Sequence, residues 1–352
     1  MSRTRAADSV GEGPRHPRAS YDLFGHDAAL LRAARVIRSA KPPQAWLITG
    51  SPGIGKATLA YRIARYVLRY GASAEGPQDL AVPKNDVVSR QIEAESHPEL
   101  LVLARRADEK GRMPTVVSVD EVRRLGSFFG MTAAGGGWRV VIVDLADEMN
   151  PSAANALLKF LEEPPRRALL LLLSYAPGRL LPTIRSRCQR LDLRPLDDET
   201  LQAALAHLLP EMAPSDRTAL AEFSEGSPGL AQRLAQGDGV ALARDAQSMI
   251  DSRVAPDIPA LLALADRVAR KADGLSQFGD FLVQALARRI RARAQTADPE
   301  LDRWVELRER ISAIFARAER VYMEPRQTIL SSALAIAAEN RRDLRHSPNR
   351  PA

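Results

Sequence analysis

One cysteine, Cys188, stands in 352 residues. A single thiol excludes an internal disulfide framework and a cysteine-built zinc site. Histidine is scarce as well: the five are scattered, which argues against a histidine metal cluster. No apolar run reaches the roughly 20 residues that a membrane helix requires. Residues 1–20 are rich in arginine, glycine, serine and proline, without the apolar stretch of a secretory signal. The chain is therefore expected to be cytoplasmic and away from membranes, with residues 1–20 a disordered tail. Acidic residues are the minority, 43 against 50 Lys plus Arg, for a net charge of +7. That balance permits contact with nucleic acid without demonstrating it.

What is present begins with Ala45 to Tyr66, AWLITGSPGIGKATLAYRIARY. An apolar run that reads as a buried strand leads into a glycine-rich turn and then an amphipathic helical pattern. Gly50, Gly55 and Lys56 keep the spacing G-x-x-x-x-G-K, with Gly53 between them. Glycines there let backbone N–H groups curl around phosphate oxygens, the helix start adds a positive dipole end, and lysine adds a point charge. The candidate nucleotide site is thus Gly50, Gly53, Gly55, Lys56, Thr58 and Asp144. Asp144 ends the apolar run RVVIVD, where a magnesium-binding carboxylate belongs.

Two chemical groups are missing from that site. The residue after the lysine should carry a hydroxyl for magnesium, and here it is Ala57; Thr58 points about 100° away around the helix. In the ATPases of the extended AAA+ group a glutamate follows the strand-end aspartate, and here Leu145 stands in its place. Asp147 and Glu148 lie close by, either as substitute bases or as the solvated approach to a helix. Ser174 ends a five-leucine strand, either as a γ-phosphate sensor or as a strand-end cap. Arg185 and Arg187 in TIRSRC suit either a finger for a phosphate held elsewhere or a surface salt bridge.

Strand and helix patterns alternate from Ala45 to Ser174, which predicts an α/β doubly wound domain. Asn150-Pro151 marks a helix start and Pro164-Pro165 its end. Ser118 and Glu121 fit a capping box. Beyond Pro195 only helices are expected. A small helical module comes first, then a block whose faces are Phe278, Leu282, Leu286 and Ile290, then Trp304, Leu307, Ile311 and Ile314, then Ile329, Leu330 and Leu334.

Several segments occur in an order that resembles the bacterial clamp-loader AAA+ family: Asp22 to His26 (DLFGH), GSPGIGKAT, Ser96-His97-Pro98, Ser118 to Val122 (SVDEV), Asn155 to Pro165 (NALLKFLEEPP) and Ser186-Arg187-Cys188. The resemblance covers about residues 21–340. It implies an AAA+ P-loop core at 21–195, a helical lid at 196–250, an all-α collar at 251–340 and a tail at 341–352. It also implies partners: gamma/tau motor subunits and delta in a hetero-pentamer, a sliding clamp and primed DNA. By the same resemblance Arg187 is the arginine finger that enters a neighbouring subunit's ATP site. Many relatives carry a four-cysteine zinc module, but 85–95 holds no cysteine, so zinc is not expected. The lid arginine of the motor subunits maps onto Gly229, with Arg233 one turn on. Ala57, Leu145 and Gly229 together point to the non-hydrolysing type of subunit, its own site degenerate and taking ATP or ADP, if at all, without productive magnesium. The alternative from the residues is an autonomous AAA+ ATPase built on Lys56 and Asp144, and a small-molecule P-loop kinase is a weaker one. Arg123 and Arg124 either face a duplex or lie on a solvated face.

Overall fold

The computed structural model describes residues 16–39, 41–104, 119–130, 137–252, 254–271, 274–296, 298–321 and 323–346. They form two compact units that divide between Arg233 and Leu234.

The first unit runs α1 (Asp27–Ile37), β1 (Ala45–Thr49), α2 (Lys56–Tyr70), α3 (Val87–Glu93), β2 (Leu100–Leu103), α4 (Val119–Gly130), β3 (Arg139–Val143), α5 (Pro151–Glu162), β4 (Ala168–Ser174), α6 (Pro182–Arg187), β5 (Gln189–Asp192), α7 (Asp198–Leu208), α8 (Pro214–Ser224) and α9 (Pro228–Leu234). The strands make one parallel sheet in the order β2-β3-β4-β1-β5. β1, β3 and β4 are buried along their whole length. That burial explains the unbroken leucine run of β4: in a parallel sheet covered on both faces, every residue meets a core. Trp46, Ile48, Val140, Ile142, Leu169 and Leu171 point into one cluster with α1 and α2. Leu47, Val141, Val143, Leu170 and Leu172 point into the other, with α4, α5 and Ile184 of α6.

Several elements differ from the sequence reading. β5 has no counterpart in the sequence reading, because Gln189, Arg190 and Asp192 are polar; it is a four-residue edge strand that buries Leu191 alone. Short, charged edges guard a sheet against further pairing. α3 is only seven residues long and rests on its Asp86 cap, whose side chain accepts from the Val88 amide. Residues 16–20, read as tail, include a 3₁₀ turn (Pro17–Ala19), and the fully buried Arg65 of α2 donates to the Arg18 carbonyl and stacks 4.2 Å from the Tyr21 ring. Ser118 of the capping box lies outside the described residues.

The second unit, described by itself, is helical: α10 (Gly239–Asp251), α11 (Ile258–Ala269), α12 (Gly274–Gln295), α13 (Leu301–Val321) and α14 (Pro325–His346). Phe278, Leu282 and Leu286 of α12 and Trp304, Leu307 and Ile311 of α13 are buried as their spacing predicts. On α14 Ile329 is fully buried and Leu330 partly buried as expected, and the departure is at Leu334. Leu334 is half exposed, while Thr328, Ser332 and Ile336 are fully buried. The two hydroxyls can enter the core because each donates to the carbonyl four residues back, Glu324 at 3.2 Å and Thr328 at 2.9 Å. α14 also continues through Arg341 to His346, part of the stretch read as tail.

Candidate nucleotide site and exposed arginine

The P-loop leaves the end of β1 beside β4, where the Gly50 amide donates to the Ser174 carbonyl at 3.2 Å. Gly55 caps α2 at φ +110°, a backbone region that only glycine enters without strain. From beneath, His26 Nε2 donates to the Ile54 carbonyl at 2.9 Å, so the DLFGH segment supports the loop's underside. Burial lowers the His26 pKa, keeping the ring a neutral donor.

Lys56 turns back on its own loop. Its Nζ donates to the carbonyls of Gly50 at 2.8 Å and Ser51 at 2.9 Å. Burial pulls its pKa down to about 8, and the negative charges of Asp144 and Asp147 oppose that shift. Lysine and strand-end aspartate therefore share one electrostatic neighbourhood, as their motif positions require.

The groups needed for hydrolysis are absent or engaged. Ala57 packs against the sheet core and offers no oxygen; Thr58 stands one residue on and is half buried. Leu145 follows Asp144 with φ +57°, placing an apolar side chain in the left-handed region. Asp147 is a clamp. Its Oδ1 accepts from Ser174 Oγ at 2.5 Å, and its Oδ2 from the amides of Tyr175 at 2.7 Å and Ala176 at 3.2 Å. Both oxygens of this carboxylate are therefore engaged in holding the end of β4. The same bonds make the fully buried Ser174 a strand-end cap. Glu148 lies in the 3₁₀ turn Ala146–Glu148. The position that would supply a magnesium-binding hydroxyl is thus an alanine, while Asp144 lies near enough to act on the charge of Lys56.

A further contact closes over the loop. The Gly229 amide donates to the Gly53 carbonyl at 2.9 Å, and Ser227 Oγ donates to the Pro52 carbonyl at 2.9 Å. A Cβ at Gly229 would lie 2.8 Å from that Gly53 oxygen and 2.9 Å from its Cα, so the start of α9 meets the loop backbone to backbone. The missing arginine at 229 is therefore also a packing requirement, which the motif comparison in sequence did not reveal. Arg233 stands one turn further along α9.

Arg187 is placed differently. It ends α6 with its side chain 37% exposed and in an ion pair with Glu162 at 2.9 Å, so the surface salt bridge left open by the sequence is present. Arg185, on the same short helix, is exposed too. Cys188 is half buried, and burial pushes its thiol up to about 12, so it packs as a neutral group. Arg123 and Arg124 pair within α4, with Asp120 at 2.9 Å and Glu121 at 2.7 Å; this internal neutralisation favours the solvated-face reading over phosphate contact.

Residues 25–197 match the family model described as DNA polymerase III, delta subunit. The chain is 39% identical over 202 residues to the DNA polymerase III subunit delta' of Pseudomonas aeruginosa, a match covering 57% of this chain and 58% of that protein. It is 37% identical over 196 residues to the delta' subunit of Escherichia coli, 55% of each chain. The E. coli DNA polymerase III subunit tau is 29% identical over 232 residues, 63% of this chain and 34% of that one. The chain thus spans little more than half the length of its delta' relatives. Among solved structures, a DNA polymerase III gamma subunit-related protein from Thermotoga maritima aligns with 89% of this chain and all of its own, at 16% identity and a TM-score of 0.42. Over the matched stretch, which holds the P-loop, the clamped aspartate and the exposed arginine, the chain is similar to DNA polymerase III delta' subunits.

Proposed function

We propose that this chain is a non-hydrolysing subunit of the replicative clamp loader of DNA polymerase III, lending Arg187 to the ATP site of a neighbouring motor subunit. Its partners on this reading are gamma/tau-type motor subunits and delta, with the sliding clamp and primed DNA as what the assembly acts on, in the cytoplasm. The observation that carries the reading is a contrast within one unit. Asp147 is consumed as a structural clamp and Ala57 supplies no metal oxygen, while Arg187 stands exposed at a helix end. Nucleotide held by Gly50, Gly53, Gly55 and Lys56, whether ATP or ADP, would stay intact for want of a base and a complete magnesium site. An arginine projected into another subunit's site stabilises charge on the transferred phosphate without any chemistry at home.

The autonomous-ATPase reading keeps Lys56 and Asp144 but must find its base in Asp147, a carboxylate already holding three donors, or in Glu148 of the adjoining 3₁₀ turn, with Thr58 for the metal. Magnesium-dependent ATP turnover by the isolated chain separates the two. Turnover at background, unchanged in Lys56→Ala, is the expected result. Brisk turnover that Lys56→Ala abolishes would instead establish a motor.

A further inference from the structure

Arg187 is tethered at two points. Its Nη1 donates to the Thr183 carbonyl at 3.2 Å, one turn back in α6, and its Nη2 lies 2.9 Å from Oε1 of Glu162, the last residue of α5. Both elements are fixed by sequence. Pro164-Pro165 follows the Glu163 cap of α5, and Leu161 and Ile184 share one buried cluster that brings the helix ends together. Glu162 occupies a position that helix energetics disfavour, because a carboxylate in a last turn meets the negative end of the dipole. The pair also adds little to the fold, since the two side chains are 37% and 49% exposed. Neither helix stability nor global stability accounts for a glutamate there.

The geometry of the guanidinium does. Arginine presents five N–H donors in a planar fork. Two are used at the tethers, which leaves three for an acceptor arriving from outside. We propose that Glu162 is the positioning residue for the arginine finger: with the Thr183 carbonyl it fixes the plane and direction of the Arg187 guanidinium before the neighbour's phosphate is met. A loose arginine must give up rotamer freedom at the moment of engagement, and a tethered one has already done so. This inference rests on the in-trans role of Arg187 proposed above.

The test uses a loader reconstituted with motor subunits, reading kcat and KM for DNA-stimulated ATP hydrolysis. Glu162→Ala should lower kcat by about 3- to 10-fold, the scale of one lost side-chain constraint, with KM unchanged because the neighbour binds the nucleotide. Glu162→Gln keeps an acceptor oxygen and should recover most of the rate. In an Arg187→Ala background, Glu162→Ala should add no further loss, since its effect passes through that arginine. The thermal midpoint of each variant chain should match the wild type. If Arg187→Ala slows the loader while Glu162→Ala does not, or if the two losses multiply independently, the positioning role is wrong and the finger stands. If Arg187→Ala itself leaves hydrolysis unchanged, the finger reading fails and takes this one with it.

Discussion

Replacing Asp147 by alanine separates a clamp from a catalytic base. The wild-type carboxylate accepts from Ser174 Oγ and from the amides of Tyr175 and Ala176, and Ser174 has no solvent exposure at all. Hydrogen bonds to a charged acceptor contribute about 1.5–3 kcal/mol each. Three would sum to far more than one residue delivers, because the half-buried site lets water replace the amide partners in part. The unsatisfied Ser174 hydroxyl alone costs about 1–3 kcal/mol, so a total loss of roughly 2–4 kcal/mol is expected for Asp147→Ala. Ser174→Ala removes one donor and its own desolvation together, and should cost about 1 kcal/mol. The double variant should cost less than the sum of the singles, the mark of a shared bond. The assay is thermal or denaturant unfolding of the full chain, followed on the transition that reports the P-loop unit. ATP hydrolysis by a reconstituted loader should persist in Ser174→Ala. A midpoint for Asp147→Ala within experimental error of wild type would refute the clamp.

Other expectations concern the loop itself. Lys56 carries a folded pKa of about 8 against an ordinary value of 10.5. Between those values the unfolded chain holds a proton that the folded chain has released, so this residue makes stability rise with pH over that window. Lys56→Met should remove that rise, seen as a flatter stability profile from pH 8 to 10.5; an unaltered slope would mean the lysine is not buried as described. Gly229→Ala puts a methyl group 2.8 Å from the Gly53 carbonyl oxygen and 2.9 Å from its Cα, against backbone that cannot swing aside as a side chain would. It should destabilise the P-loop unit by about 1–3 kcal/mol, read as a lowered thermal midpoint, whereas a neutral outcome would show that α9 does not bear on the loop.

The sheet was readable wherever burial left a continuous apolar run. β1, β3 and β4 announce themselves because both faces are covered, and Asn150 with Pro151 marks the start of α5, the Asn150 side chain accepting from the Ala153 amide at 2.8 Å. β5 escaped because an edge strand with one buried leucine has no such run. Leu334 misled for the opposite reason: apolar spacing cannot register that Thr328 and Ser332 satisfy their hydroxyls locally and take the inward positions. At the site, Ala57, Leu145 and Gly229 were visible as departures from a motif. The use of Asp147 was not, because its partners are brought by β4, 27 residues away. The Glu162 tether was hidden in the same way. Its residues lie within two recognisable segments, but only the packing of α5 against α6 joins them.

The most direct measurement compares Arg187→Ala with Lys56→Ala in the same reconstituted loader, scored by DNA-stimulated ATP hydrolysis at preserved assembly. A finger of this kind accounts for about 10³–10⁵ in rate at the site it serves. Arg187→Ala should therefore silence one motor site while Lys56→Ala leaves turnover as it was. Full activity with Arg187 removed, or a collapse of activity with Lys56 removed, would contradict the division of labour proposed for this chain.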